Sequence, residues 1–320
     1  MRAHFYHVHD ALGRLRSSAR GYGYMLVVFG PQGQLVTHRV LDLDGPPAKT
    51  IASLGRHTNV DLVLADDPGI ALRAAIARVA LRQAVPTLSL TDLNTGEGFD
   101  VLGAGPAESI ETNGDAVVRI GAYTVYALRI GHDAPPWPSD AAETWVLLSE
   151  VQIEDLRPPA MQRPAPSSEH IFFAGARPRK PTLWHCPTCI ALRKPVGTLT
   201  ALASVVGLPP DTVAYFEARG SAELVRYALN DELLTRGVTL GRYDRCDIGY
   251  AGFRAPETLS RVHLFVFREG DTVWAFDVGT TRGTHVGGER TQLIRLVDGV
   301  ALELGDGNLL TYRRTKTPAL

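Results

Sequence analysis

The carboxy-terminal third of the chain is a succession of short apolar alternations separated by Gly- and Asp-containing turns, and this pattern restricts the fold most. Arg261 to Phe267 and Thr272 to Val278 form the clearest pair, joined through Arg268-Glu269-Gly270-Asp271. Thr291 to Val297, Val300 to Leu304 and Leu309 to Arg313 continue the series. Ahead of them, Ala222 to Leu229, the turn Asn230-Asp231 and Leu233 to Leu240 read as a hairpin. Short strands at this spacing predict an antiparallel β-sandwich.

The amino-terminal third repeats the layout. Tyr24 to Phe29, the turn Gly30-Pro31-Gln32-Gly33 and Gln34 to Leu41 read as an opening hairpin. Leu54-Gly55-Arg56 matches Leu240-Gly241-Arg242, and Val60 to Leu64 follows as a strand. Thr91-Asp92-Leu93 parallels Phe276-Asp277-Val278, and Ile120-Gly121 parallels Leu304-Gly305 ahead of a closing strand, Tyr123 to Leu128. The expected fold class is all-β, two sandwiches in series. At 320 residues, 45% of them hydrophobic, the chain can supply two cores.

The expected organisation is a tail over 1–20, a first sandwich over 21–132, a Pro-rich linker over 133–180, a CxxC and short helical connector over 181–218, a second sandwich over 219–315 and a tail over 316–320. The linker carries Pro135-Pro136-Trp137-Pro138, Pro158-Pro159 and Pro164-Ala165-Pro166, interrupted by a strand-like piece, Thr144 to Ile153. Thr198 to Gly220 reads as two short helices.

Three polar clusters flank the strands of the second sandwich: Gly241-Arg242, Ser260-Arg261-Val262-His263 and Thr280-Thr281-Arg282-Gly283-Thr284. Paired guanidinium forks with hydroxyl donors suit a phosphate carried on a peptide. In order and spacing these clusters resemble the forkhead-associated (FHA) domain, whose signature is Gly-Arg, then Ser-Arg-x-His, then a Thr-Asn-Gly-Thr-like loop. The resemblance implies that Arg242, Ser260, Arg261 and Thr281 read a phosphothreonine and that Arg282, where the family carries Asn, meets the peptide backbone or an acidic neighbour. It also implies supporting roles for Gly241, His263, Gly283 and Thr284. The implied partner is a phosphothreonine protein or Ser/Thr kinase, met by a bacterial, cytoplasmic signalling adaptor that performs no catalysis.

The first copy drops this set. Ile70-Ala71-Leu72-Arg73-Ala74 stands against Leu259-Ser260-Arg261-Val262-His263, and Gly96-Glu97-Gly98-Phe99 against Thr281-Arg282-Gly283-Thr284. It is expected to serve packing, a homodimer contact or another phosphate-independent role.

Other motifs carry less. Cys186-x-x-Cys189 is half a zinc site, for which His185, His170 or the amino-terminal His4, His7 and His9 would have to complete the shell; the reading without a cofactor leads. Leu199 to Phe216 offers a helix-turn-helix alternative, but its second helix has almost no Lys or Arg for DNA phosphates, and a two-helix connector is favoured. A net charge of −1 gives no general pull toward nucleic acid or an anionic membrane. A scaffold role without phosphate is the remaining alternative. No motif of a hydrolase elbow, phosphate loop, metalloprotease or kinase occurs, and no enzymatic activity is expected.

Overall fold

The computed structural model describes residues 1–150 and 202–315, apart from Asp66, Asn94, Gly96, Glu97, Ala104, Arg254 and residues 204–207, 220–223, 244–245 and 250–252. Most of the Pro-rich linker, Cys186, Cys189 and the 316–320 tail lie outside the described residues. The chain divides into two compact units, the first built on Met1–Leu156 and the second on Ala191–Leu320.

In the first unit, β1 (Gly23–Phe29), β2 (Leu35–Asp42), β7 (Phe99–Val101), β8 (Gly105–Ala107), β10 (Ala116–Ile120) and β11 (Tyr123–Ile130) make one sheet, ordered β2-β1-β11-β10-β7-β8. The facing sheet orders β3 (Ile51–Gly55), β4 (Leu62–Val63), β5 (Ala75–Arg82), β6 (Val85–Asp92) and β9 (Ser109–Thr112) as β4-β3-β5-β6-β9. Tyr24, Leu26 and Val28 of β1 point inward with Val125 and Ala127 of β11, following the two-residue period of a strand.

The second unit contains β12 (Leu202–Ala203), β13 (Ala214–Arg219), β14 (Leu224–Leu229), β15 (Val238–Leu240), β16 (Leu264–Glu269), β17 (Thr272–Asp277), β18 (Thr284–Val286), β19 (Glu289–Arg290), β20 (Leu293–Leu296), β21 (Ala301–Leu304) and β22 (Asn308–Arg314). Its sheets run β12-β14-β13-β22-β21-β18-β19 and β15-β16-β17-β20. With β12 and β4 set aside, the strand orders of the two units are the same, strand for strand. Even the short parallel contact recurs, Leu54 with Leu62 in the first unit and Leu240 with Ile248 in the second. The repeat read from the sequence is thus a repeat of topology.

Four local expectations are corrected. Residues 1–20 do not form a tail: α1 (Arg2–Ser18) places Phe5, Val8, His9, Leu12 and Arg16 on one buried stripe at helical spacing. The strand-like 144–153 piece begins instead within α2 (Ala141–Glu150), started by Asp140, whose Oδ1 accepts the Ala142 N–H at 2.8 Å. Both helices cover the outer face of the first sheet, where Met25, Val27, Phe29, Tyr126 and Leu128 form a second apolar layer with Phe5, Leu12 and Leu148. The Asn230-Asp231 turn is a helix start. Asn230 Oδ1 accepts the Leu233 N–H at 2.9 Å and caps α3 (Asp231–Arg236), whose first turn is acidic, so only Val238–Leu240 of the expected 233–240 strand remains.

The helical connector is also corrected in its described part. Leu202–Ala203 is strand β12, and the expected second helix is strand β13, paired with β14 on one side and β22 on the other. Ala214, Phe216 and Ala218 alternate into the core while Tyr215 and Glu217 face out. This removes the recognition helix of the DNA-binding alternative.

Candidate functional site

The site grows from the ends of β15, β16 and β17. Leu240 pairs with Leu264 and Leu264 with Asp277, so the loop leaving β15, the loop entering β16 and the loop leaving β17 all start at one end of this sheet. Backbone bonds sew the first two together: Arg242 N–H to Ser260 O at 3.0 Å, Tyr243 N–H to Arg261 O at 3.2 Å and His263 N–H to Leu240 O at 2.6 Å. Gly241 is required by this approach, because a Cβ there would strike the Arg261 carbonyl.

His263, fully buried, joins that loop pair to the third. Its Nδ1 accepts the Ser260 N–H at 3.2 Å, which leaves the ring proton on Nε2, 3.3 Å from the Gly283 carbonyl. The 278–283 loop is held by the buried Asp277. The Thr280 N–H reaches one carboxylate oxygen at 2.6 Å, and the Thr280 and Thr284 hydroxyls reach the other at 2.7 and 2.8 Å. Thr280 Oγ1 in turn accepts the Gly283 N–H at 3.0 Å, and Arg290 Nη2 donates to the Thr280 carbonyl at 2.9 Å. Gly283 sits at φ 77°, with its Cβ direction filled by the Arg290 side chain.

On this frame Arg242, Thr281 and Arg282 are exposed, and Ser260 and Arg261 are half-buried. The Arg261 guanidinium lies over the Tyr243 ring, 5.9 Å from its centroid. Arg282 Nε stands 2.8 Å from Asp306, an exposed pair that contributes little to stability. The structure therefore puts Arg242, Ser260 and Arg261 on one tied pair of loops, Thr281 and Arg282 on the adjacent loop, and Gly241, His263, Gly283 and Thr284 beneath them. Sequence reasoning gave no role to Asp277 and Thr280 and passed over Tyr243, Asp306 and Arg290. It also passed over Cys246, whose buried thiol donates to the Arg261 carbonyl at 3.2 Å. The findable signal was Asp-x-x-Thr, present as Asp277–Thr280 and again as Asp92–Thr95.

The first unit repeats the backbone bonds between the first two loops and the aspartate–threonine pair, without the histidine. Arg56 N–H donates to Ala71 O, His57 N–H to Leu72 O and Ala74 N–H to Leu54 O, which sets Ala71, Leu72 and Ala74 at the positions of Ser260, Arg261 and His263. Thr95 donates its N–H and hydroxyl to Asp92 as Thr280 does to Asp277. Ser53 and Asp61 exchange the same three bonds as Thr239 and Asp247, and each aspartate meets one arginine, Arg39 at 2.8 Å or Arg236 at 3.0 Å. Arg56, in the position of Arg242, turns its Nε to the Ile70 carbonyl at 3.2 Å. Gly96 and Glu97 fall outside the described residues.

The match is to the FHA domain, over residues 238–305. That span begins with β15 and ends just after β21, and it encloses all three clusters. Among solved structures, one chain analysed for phosphothreonine-dependent FHA domain interactions is 22% identical with a TM-score of 0.28, over 33% of this chain and 100% of that one. Mycobacterium tuberculosis EmbR in complex with a low-affinity phosphopeptide is 22% identical with a TM-score of 0.28, over 34% of this chain and 26% of that one. The FHA domain of CT664 from Chlamydia trachomatis is 17% identical with a TM-score of 0.29, over 33% of this chain and 100% of that one. No curated protein matches the chain.

The histidines, cysteines and carboxylates of the described residues are scattered, and their helices are short. No group of three His, Cys, Asp or Glu is placed to hold an ion, and no helix is long and apolar enough to cross a bilayer. Two of the histidines considered for zinc have other partners, His4 Nδ1 with the Tyr126 hydroxyl at 2.9 Å and His9 Nε2 with the Thr144 hydroxyl at 3.1 Å.

Proposed function

We propose that the carboxy-terminal FHA domain docks a phosphothreonine segment of a protein partner, a Ser/Thr kinase or a kinase substrate, and that the chain acts as an adaptor. The observation that carries this reading is the buried His263, which holds the Ser260-Arg261 loop against the Thr281-Arg282 loop. In the proposal Arg242 and Arg261 pair with the phosphate, and the Ser260 and Thr281 hydroxyls donate to its oxygens. Arg282, which has donors only, meets a peptide carbonyl or an acidic side chain. The first sandwich keeps the bracing and carries Ala71, Leu72 and Ala74 where the second has its reading residues, so its role is packing or a phosphate-independent contact. Because an ordered peptide is held through one anchored residue, binding is weak to moderate.

The test is titration of a phosphothreonine peptide library against the wild-type chain and Arg261→Ala. Selective binding by the wild type, weakened by about tenfold or more in the variant, supports the proposal, since hydrogen bonds to charged groups are the strong ones. Absence of binding to both proteins, or equal binding to both, refutes it.

A further inference from the structure

Among the described residues the four sheets end on eight strands, and seven of these are only two to four residues long. The exception is β2, eight residues from Leu35 to Asp42 at the edge of the first unit. Proteins keep sheet edges from joining by making edge strands short, or by giving them lysine, proline, bulges or inward-turned charges. β2 has neither lysine nor proline, and its bulge lies at its first end, opposite Val28 and Phe29. The charge that it turns inward, on Arg39, is matched by Asp61 at 2.8 Å.

The ladder fixes which backbone groups of β2 point outward. Leu43 N–H donates to the Tyr22 carbonyl, so by antiparallel alternation Leu41, Arg39 and Thr37 exchange bonds with β1. Val40 and His38 then turn their N–H and C=O away from β1. Next to them Leu35 and Val36, at 47% and 39% exposure, add apolar surface to the same strand.

The second unit treats this edge differently. β14 stands where β2 does, and β12 pairs antiparallel along its outer side, with Leu202 opposite Arg226, the residue in the position of His38. This edge of the fold thus accepts an extended antiparallel segment, and among the described residues of the first unit no strand takes that place. A second copy of the chain supplies one without any further molecule. Two β2 edges related by a two-fold axis run antiparallel and present the same groups to each other. A net charge of −1 sets no general repulsion between copies.

We infer that the chain forms a two-fold dimer in which the β2 edges of two first sandwiches pair into one continuous sheet. An eight-residue strand is about 27 Å long, and pairing along it buries less than a standard interface, which sets association in the micromolar range. The inference goes beyond a phosphate-independent role for the first sandwich by naming the surface and its occupant. It stands whether or not the second sandwich reads phosphothreonine.

The test is sedimentation equilibrium of the full chain, treated with phosphatase so that phosphate reading cannot link copies. The wild type is expected to be a dimer that dissociates in the micromolar range. His38→Pro removes an N–H that faces away from β1, and His38→Lys places a cation on the edge without altering the backbone. Each is expected to raise the dissociation constant by about tenfold or more, and His38→Lys decides the matter if His38→Pro does not fold. A wild type that stays monomeric at about 100 μM, or a folded variant that dimerises as tightly as the wild type, overturns the inference.

Discussion

Asp277 and Thr280 form a two-bond clasp, backbone N–H at 2.6 Å and hydroxyl at 2.7 Å, and Asp92 and Thr95 form the same clasp in the first sandwich. The clasp is kept where the polar set is lost, since Ala71 and Leu72 stand where Ser260 and Arg261 do. It belongs to the folding of the loop, and the set proposed to read phosphate is mounted upon it.

Asp277→Ala is expected to destabilise the second sandwich by about 2–4 kcal/mol, because it strands a buried N–H and two buried hydroxyls. Urea denaturation checks this. A change below about 0.5 kcal/mol would show that the clasp is dispensable.

Gly241→Ala drives a Cβ into the Arg261 carbonyl, and Gly55→Ala drives one into that of Leu72. Each is expected to cost about 1–3 kcal/mol in its own sandwich. Only Gly241→Ala should also weaken phosphopeptide binding, by about tenfold or more, because the backbone it displaces bears Arg261. Peptide titration of both variants separates the two effects; equal losses of affinity would contradict the assignment of reading to the second copy.

Arg56 and Arg242 occupy matched positions in the two copies. Arg242→Ala is expected to weaken phosphopeptide binding by about tenfold, whereas Arg56→Ala leaves it within about twofold. A loss in Arg56→Ala as large as in Arg242→Ala would show that the first copy reads phosphate too.

The docking of α1 should depend on pH. Burial holds the His4 pKa below its ordinary value of 6.5, so in acid the folded state binds fewer protons than the unfolded one. Stability then rises with pH through that window and levels off above about 6.5. His57 shifts in the same direction for the same first cause and adds to the slope. Denaturation at pH 5 and 7.5 is expected to give a smaller difference for His4→Gln than for the wild type; an unchanged difference would exclude His4 as a contributor.

The sequence carried the sandwiches well because their signal is local. Alternation marks a strand, and Leu-Gly-Arg or Asp-x-x-Thr marks a loop that must close in one way. It carried the helices poorly. Phe5, Val8 and Leu12 have helical spacing, but the histidines between them drew attention to metal binding, and only the fold reveals that His4 and His9 are packed. The Trp145-Val146-Leu147-Leu148 run has no polar period to set a helix apart from a buried strand, and the deciding residue was the Asp140 cap outside it. Asn230-Asp231 is ambiguous in the same sense, since the same side chains start helices and make turns. The β5–β6 hairpin was missed because its turn residues, Gln83 and Ala84, take positive φ (51° and 64°) without the glycine or asparagine that normally announces it. In the site, Ser260, Arg261 and His263 were legible as a motif and Asp277 was legible as the unread Asp-x-x-Thr, but Arg290 acts through a contact across the loop that spacing alone does not display.

The two outer sheet faces have a practical consequence for taking the protein apart. In matched register, Val27 and Leu128 of the first sandwich correspond to Glu217 and Arg313 of the second, which lie 3.4 Å apart as an ion pair. A fragment starting after residue 20 would bare an oily sheet to water and clump, whereas the second sandwich presents charges on the corresponding strands. An expression plan that trims the histidine-rich beginning as a dispensable leader would lose the half of the protein that the leader keeps in solution.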